Sequence, residues 1–330
     1  MTSVLRYLAV VALTCLLLLI LVYSDAFASG GGMAADARPA IRDEVWRDTA
    51  RKRDVPVRIT QPANVEAEAG KKWPIILFSH GLGGNLEAGR LWAAEWVANG
   101  YVVVTVQHPG SDDSIWKAKP PAERLASVKS AASARNLIAR LDDIRFVLDE
   151  ITRRHETDAA WKQVDLNRIG MSGHSFGART TMGIAGQNLG PITGKPDPRI
   201  KAAIAFSPLG AARMGSLEKQ FANIRMPFFS VTGDQDGEVL GDGTRPEDRT
   251  LPYQHMPAPD KYLAVFKGGD HMVFGGHNSR NDTDRRIQKD VRTLTLAFWN
   301  AYLKDEKAAR EWLKTGAEKT LQAGDRYAYK

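Results

Sequence analysis

Ser175 stands between two glycines, in Gly173-His174-Ser175-Phe176-Gly177. The apolar residues before it, Ile169 and Met171 among them, read as a short strand, and Ala178 onward reads as a helix. Strand, tight turn and helix in that order give a Gly-x-Ser-x-Gly pattern its chemical meaning. A serine at such a turn projects its hydroxyl above the sheet edge. Glycine at either side lets strand and helix approach closely, because neither carries a Cβ. The helix N-terminus behind Ser175 offers unpaired N–H groups and a partial positive charge, which suit a developing oxyanion. The alternative is a Gly-rich turn in which Ser175 only caps the helix.

A serine hydroxyl is a poor nucleophile until a base takes its proton. A neutral histidine does so when a carboxylate fixes its tautomer. His271 is the candidate base: it follows the apolar run Lys261 to Phe266 and the pair Gly268-Gly269, so it belongs to a loop tip. His174 occupies the variable position of the motif and is expected to pack beneath the turn. His80 belongs to a Gly-rich loop, His108 precedes the nucleophile, and His155, His255 and His277 lie in polar segments. Two carboxylates compete for the acid. Asp234 and Asp236 both follow the strand Pro227 to Thr232, and the spacing of three from Gly233 selects Asp236. Asp270, adjacent to the base, is badly directed. Two backbone donors are needed for an oxyanion hole: Phe176 N–H, next to the nucleophile, and Leu82 N–H from His80-Gly-Leu-Gly-Gly84. His271, His277, Asp282 and Asp284 match no metal-ligand spacing, and neither metal nor cofactor is expected.

These groups need a scaffold, and the periodicity supplies one. Pro74 to Ser79 is a continuous apolar run, the pattern of a strand buried on both faces, and Tyr101 to Gln107, Lys201 to Phe206, Pro227 to Thr232 and Lys261 to Phe266 also read as strands. Helices are expected over 87–99, 131–153 and 284–303, with a peripheral one over 306–313. Two short strands, 45–49 and 55–59, precede them. The segments 111–121 and 237–260 read as polar loops, and 261–266 as the last strand. Alternating strands and helices mean an α/β fold with a mostly parallel sheet covered on both faces. Ligands bind such sheets at the carboxyl ends of the strands, where His80, Ser175, Asp236 and His271 all fall.

The chain has 330 residues, 43% hydrophobic and 25% charged, enough for one large domain over 41–330. The formal charge of +7 is scattered, with no basic stripe carrying interleaved aromatics, which argues against nucleic-acid binding. Arg6, the apolar run Leu8 to Val22 and Ala26-Phe27-Ala28 form a secretory signal pattern over 1–28, followed by a Gly/Ala-rich linker over 29–40. Cys15, the single cysteine, lies inside that signal, so the exported chain has no thiol. A periplasmic or secreted monomer without a membrane span is expected.

Phe78-Ser-His-Gly-Leu-Gly-Gly84 together with Gly173-His-Ser-Phe-Gly177 resembles the platelet-activating-factor acetylhydrolase and predicted dienelactone hydrolase group of the α/β-hydrolase superfamily. Arg47 to Arg53, Gln107 to Ser111 and Arg140 to Glu150 are similar to the same group. The resemblance implies an α/β-hydrolase fold and a cofactor-free esterase or lipase-like activity through an acyl-serine. Lipid-hydrolysing members can place their acid one strand earlier. Here that position reads Phe206-Ser207-Pro208, without a carboxylate. Dienelactone hydrolases proper use a cysteine nucleophile, which this chain lacks.

Overall fold

Nine strands form one twisted sheet in a computed structural model that describes residues 38–63, 70–190, 192–193, 196–210, 215–241 and 243–330. The expected signal segment 1–28 lies outside the described residues, as does the linker apart from its last three positions. Residues 39–330 make one unit. The strands are β1 Ala40–Asp48, β2 Arg53–Gln61, β3 Trp73–Ser79, β4 Val102–Val106, β5 Val164–His174, β6 Ile200–Phe206, β7 Phe228–Gln235, β8 Lys261–Asp270 and β9 Arg326–Tyr329. Their spatial order is β1-β2-β4-β3-β5-β6-β7-β8-β9. The six strands from β4 to β8 run parallel, while β1, β2 and β9 pair antiparallel at the two edges.

Alternate residues of each strand enter different cores. Ile76, Phe78, Val103 and Ile204 face helices α1 (Arg90–Ala98), α5 (Asp282–Leu303) and α6 (Lys307–Thr315), where Trp92, Trp96, Phe298 and Trp299 are fully buried. Ile75, Leu77, Val102 and Val104 face the opposite way, against α3 (Ala134–Thr157) and α4 (Phe176–Ala185). Period-2 alternation with both sets buried is what makes the strands read as continuous apolar runs. Helix α3 starts where Ser133 Oγ accepts the Asn136 N–H, and α5 where Asn281 Oδ1 accepts the Asp284 N–H.

Several boundaries differ from the sequence expectation. The strand β8 is not the last: β9 pairs with it antiparallel, from Tyr262 opposite Tyr329 to Val265 opposite Arg326. The stretch 111–121 is not a plain loop but holds a short helix, Ser114–Lys117, and leads into α2 (Pro121–Ala131). The polar insertion 237–260 contains a 3₁₀ turn, Pro246–Thr250, and a short helix, Leu251–His255. Helix α6 is not peripheral, because Ala309 and Leu313 are buried in the main core. Among the described residues no helix is long and apolar enough to cross a membrane.

Candidate active site

The turn after β5 puts Ser175 in an uncommon backbone state. Its φ is 57° and ψ −113°, a conformation that costs a non-glycine residue on the order of 1–3 kcal/mol. The Ser175 N–H donates to Phe206 O at 2.9 Å, which ties the turn to β6. Ser175 sits at the N-cap position of α4, yet its side chain makes no cap hydrogen bond, so the hydroxyl is not spent on helix capping. A Cβ on Gly177 would stand 1.9 Å from Ser79 O, and one on Gly173 would stand 2.5 Å from Gly177 O. Both glycines are therefore demanded by close approach of backbone to backbone.

Two further strand ends bring His271 and Asp236, the expected base and acid, together. His271 Nδ1 lies 2.8 Å from Asp236 Oδ1, and Thr232 Oγ1 donates to Asp236 Oδ2 at 2.8 Å. Asp236 is fully buried. Burial pushes its carboxyl pKa up, but the His271 hydrogen bond and the Arg249 guanidinium outweigh this and hold it below the usual range. Asp234 is exposed and accepts the Gly268 N–H at 2.7 Å, a turn contact. Asp270 accepts the Met272 and Val273 N–H groups and pairs with Arg280. Neither of these carboxylates meets His271.

The loop holding His271 is anchored on its far side. Phe274 is buried, its carbonyl accepts Trp92 Nε1–H at 3.1 Å, and Gly89 N–H donates to Gly275 O. His174, next to Ser175 in the chain, also meets His271: Nε2 lies 2.9 Å from His271 O, and the two ring centres are 4.7 Å apart. Burial, followed by the nearby His271, pushes the His174 pKa down to about 3, so this ring is neutral and donates from Nε2.

The Gly-rich loop after β3 closes against Ser175. A Cβ on Gly81 would lie 3.6 Å from Ser175 Cβ. Gly83 N–H donates to Ser111 O and Gly84 N–H to Gly81 O, whereas Leu82 N–H and Phe176 N–H have no acceptor among the described residues. Leu82 and Phe176 also pack with Leu137 and Leu189 in a small apolar cluster.

Beneath this loop runs a second chain of serine, histidine and aspartate. Ser79 Oγ lies 2.9 Å from His108 Nε2, and His108 Nδ1 lies 3.0 Å from Asp143 Oδ2. All three are fully buried. Arg53 and Arg51 hold Asp143 Oδ1 at 2.7 and 2.9 Å. Burial pushes the Asp143 carboxyl up, but the hydrogen bonds from His108 and Arg53 overcome it and leave the group well below its ordinary range. Burial and the charge of Arg140 push the His108 pKa down to about 4 against the pull of Asp143. In the sequence His108 is set aside because it precedes the nucleophile, and Arg140, Asp143 and Arg249 have no role of their own. The sequence signal for this group is the family resemblance of Arg47 to Arg53, Gln107 to Ser111 and Arg140 to Glu150, which hold Arg51, Arg53, His108, Arg140 and Asp143.

A family model described as platelet-activating factor acetylhydrolase, isoform II, matches residues 51–119, the span that carries Arg51, Arg53, the Gly-rich loop and His108. The platelet-activating factor acetylhydrolase of Canis lupus familiaris is 20% identical over 312 residues, covering 81% of this chain and 66% of that protein. Those of Bos taurus and Cavia porcellus are 24% and 22% identical, covering 54% and 78% of this chain. The matched spans take in between 44% and 66% of the relatives' own lengths. With its mostly parallel sheet flanked by helices and these matches, the chain is an α/β-hydrolase-fold protein that resembles the platelet-activating factor acetylhydrolase group.

Proposed function

We propose that the protein is an exported serine hydrolase that cleaves carboxylic esters through an acyl-serine intermediate. The observation that carries this reading is the His271–Asp236 contact at 2.8 Å, at the same end of the sheet as the Ser175 turn. In the reaction, His271 Nε2 takes the Ser175 Oγ proton as Oγ attacks the ester carbonyl. Asp236 accepts the Nδ1–H and stabilises the imidazolium. Charge collects on the carbonyl oxygen, which Leu82 N–H and Phe176 N–H receive. Collapse expels the alcohol, which leaves with the proton held by His271. Water, deprotonated by the same nitrogen, then releases the acid and frees Ser175. Every step uses groups of this chain and needs no cofactor.

A phospholipid acyl hydrolase is the second reading, favoured by the name the three relatives share. A non-catalytic binding module on the same fold would have no use for a strained serine whose hydroxyl is left uncapped.

The test is to treat the purified chain with a fluorophosphonate and map the adduct, then assay p-nitrophenyl esters of graded chain length beside a short-chain phospholipid. Labelling at Ser175 with loss of turnover is expected. Near-normal esterase activity in Ser175→Ala would overturn the reading.

A further inference from the structure

Arg140 lies mid-helix in α3 and is fully buried, among helix neighbours Leu137, Leu141 and Ile144 that are apolar and buried as well. A buried cation is costly unless its donors are all used. Its partners here are carbonyls and hydroxyls rather than a carboxylate. Nη1 donates to His80 O at 2.6 Å and reaches Ser79 Oγ at 3.4 Å. Nη2 lies 3.4 Å from Gly81 O and 3.3 Å from Ser111 O, with His80 Nδ1 also 3.3 Å away. Nε donates to Ser111 Oγ at 2.8 Å. The guanidinium carbon stands 4.6 Å from the centre of the Phe176 ring.

One side chain thus touches both sources of the proposed oxyanion donors. On one side the contact is direct, through the ring of Phe176. On the other it runs through a peptide plane. Gly81 C=O and Leu82 N–H belong to the same peptide unit, and in a trans peptide they point in opposite directions. Gly81 O accepts from His80 Nδ1 at 2.6 Å and from Gly84 N–H at 3.1 Å, and Arg140 Nη2 lies 3.4 Å from it on the same side. His80 Nε2 accepts the His108 N–H, so Nδ1 carries the proton. With its carbonyl held on that side, the plane must turn Leu82 N–H to the other. The fork reaches the carbonyls of residues 80, 81 and 111 from two separate nitrogens, whereas an ammonium would have to gather all three around a single point.

We infer that Arg140 is the positioning residue of the oxyanion hole, orienting the Gly81–Leu82 peptide and seating Phe176 across the same charge. This rests on the serine-hydrolase reading. Its consequence lies in the transition state, where the oxyanion exists, and not in substrate binding. Loss of one oxyanion-hole donor costs about 10²–10³ in kcat, so a donor that is present but misaimed should cost less.

The experiment compares the wild type with Arg140→Lys, Arg140→Met and Ser111→Ala, all in the full chain. Active sites are counted by fluorophosphonate labelling taken to completion, so unfolded protein does not enter the rates. Per labelled site, kcat on a p-nitrophenyl ester should fall roughly 10–100-fold in Arg140→Lys, with KM within about twofold. The affinity of a boronic acid, which forms a tetrahedral adduct with an oxygen in the hole, should fall in parallel. Ser111→Ala, which removes one of the guanidinium anchors, should show a smaller loss of the same kind. Arg140→Met can fail to fold, and the other two variants then decide. Unchanged kcat per site and unchanged boronate affinity in Arg140→Lys and Ser111→Ala would overturn the inference while leaving the serine-hydrolase reading intact. A wild-type chain that is not labelled at Ser175 would overturn that reading first.

Discussion

Arg249 Nε stands 3.2 Å from Asp236 Oδ1, the same carboxylate oxygen that meets His271 Nδ1 at 2.8 Å. The remaining donors of Arg249 reach Ser207 O at 3.1 Å and Gly237 O at 3.2 Å. A cation from the 237–260 insertion therefore fixes the acid loop to the end of β6. Ser207 directly follows β6, and its carbonyl serves that anchoring.

The carboxylates around His271 should separate sharply under mutation. Asp236→Asn removes the charge facing Nδ1 and should lower kcat on the order of 10⁴-fold, the loss typical of a triad carboxylate. Asp234→Asn should stay within about twofold, because its oxygen serves a turn at Gly268. Arg249→Met should destabilise the fold by about 3–5 kcal/mol, since it strands a buried carboxylate. Steady-state kinetics and urea melts on the three variants check this. A larger kinetic loss in Asp234→Asn would move the acid by two residues.

Space at the nucleophile turn gives a second expectation. Gly177→Ala places a methyl against Ser79 O and should cost about 3 kcal/mol or more, beyond ordinary overpacking. Gly237→Ala meets its nearest atom at 3.6 Å and should change stability by about 0.5 kcal/mol or less. Equal denaturation midpoints for the two variants would contradict the close approach.

Acid should destabilise the protein before any carboxylate titrates. His108 and His174 are buried with pKa values pushed down to about 4 and about 3, against 6.5 for a free imidazole. As pH falls below about 6.5 the unfolded chain takes up protons that the folded one refuses. Stability is therefore full above that pH and declines toward pH 4, by roughly 1 kcal/mol per unit for each histidine. Asp236, held low, adds a loss of the same sign at more acid pH. Urea midpoints between pH 7 and 5 should fall, with a shallower slope in His174→Gln. A flat profile would mean that these rings protonate freely.

Export is the fourth expectation. Arg6, the Leu8 to Val22 run and Ala26-Phe27-Ala28 place cleavage near Ser29. Intact-mass analysis of protein recovered outside the cytoplasm should show loss of the first 28 residues. A mass retaining Met1 would sink the signal-peptide reading.

Five of the six parallel strands were legible because burial on both faces leaves a mostly apolar run, as in Val102-Val-Val-Thr-Val106. The Ser175 turn was legible because glycine spacing reports close backbone approach. Helix α2 was not, since its buried positions reduce to Ala131 and no apolar stripe marks it. Nor was β9, four residues at a sheet edge whose partner lies some sixty positions earlier. Arg140 and Arg249 escaped for a related reason. An arginine reads as surface charge in sequence, and only tertiary packing reveals which carbonyls its fork will meet.

The buried Ser79–His108–Asp143 chain bears on how this protein would answer to covalent reagents. By residue type it repeats the set Ser175, His271 and Asp236, yet Ser79 is fully buried and its hydroxyl lies 3.4 Å from the Arg140 guanidinium. Reagents count reachable hydroxyls, not hydrogen-bond patterns. Titration of the folded chain with a fluorophosphonate should therefore saturate at one equivalent, although a search by geometry alone would return two.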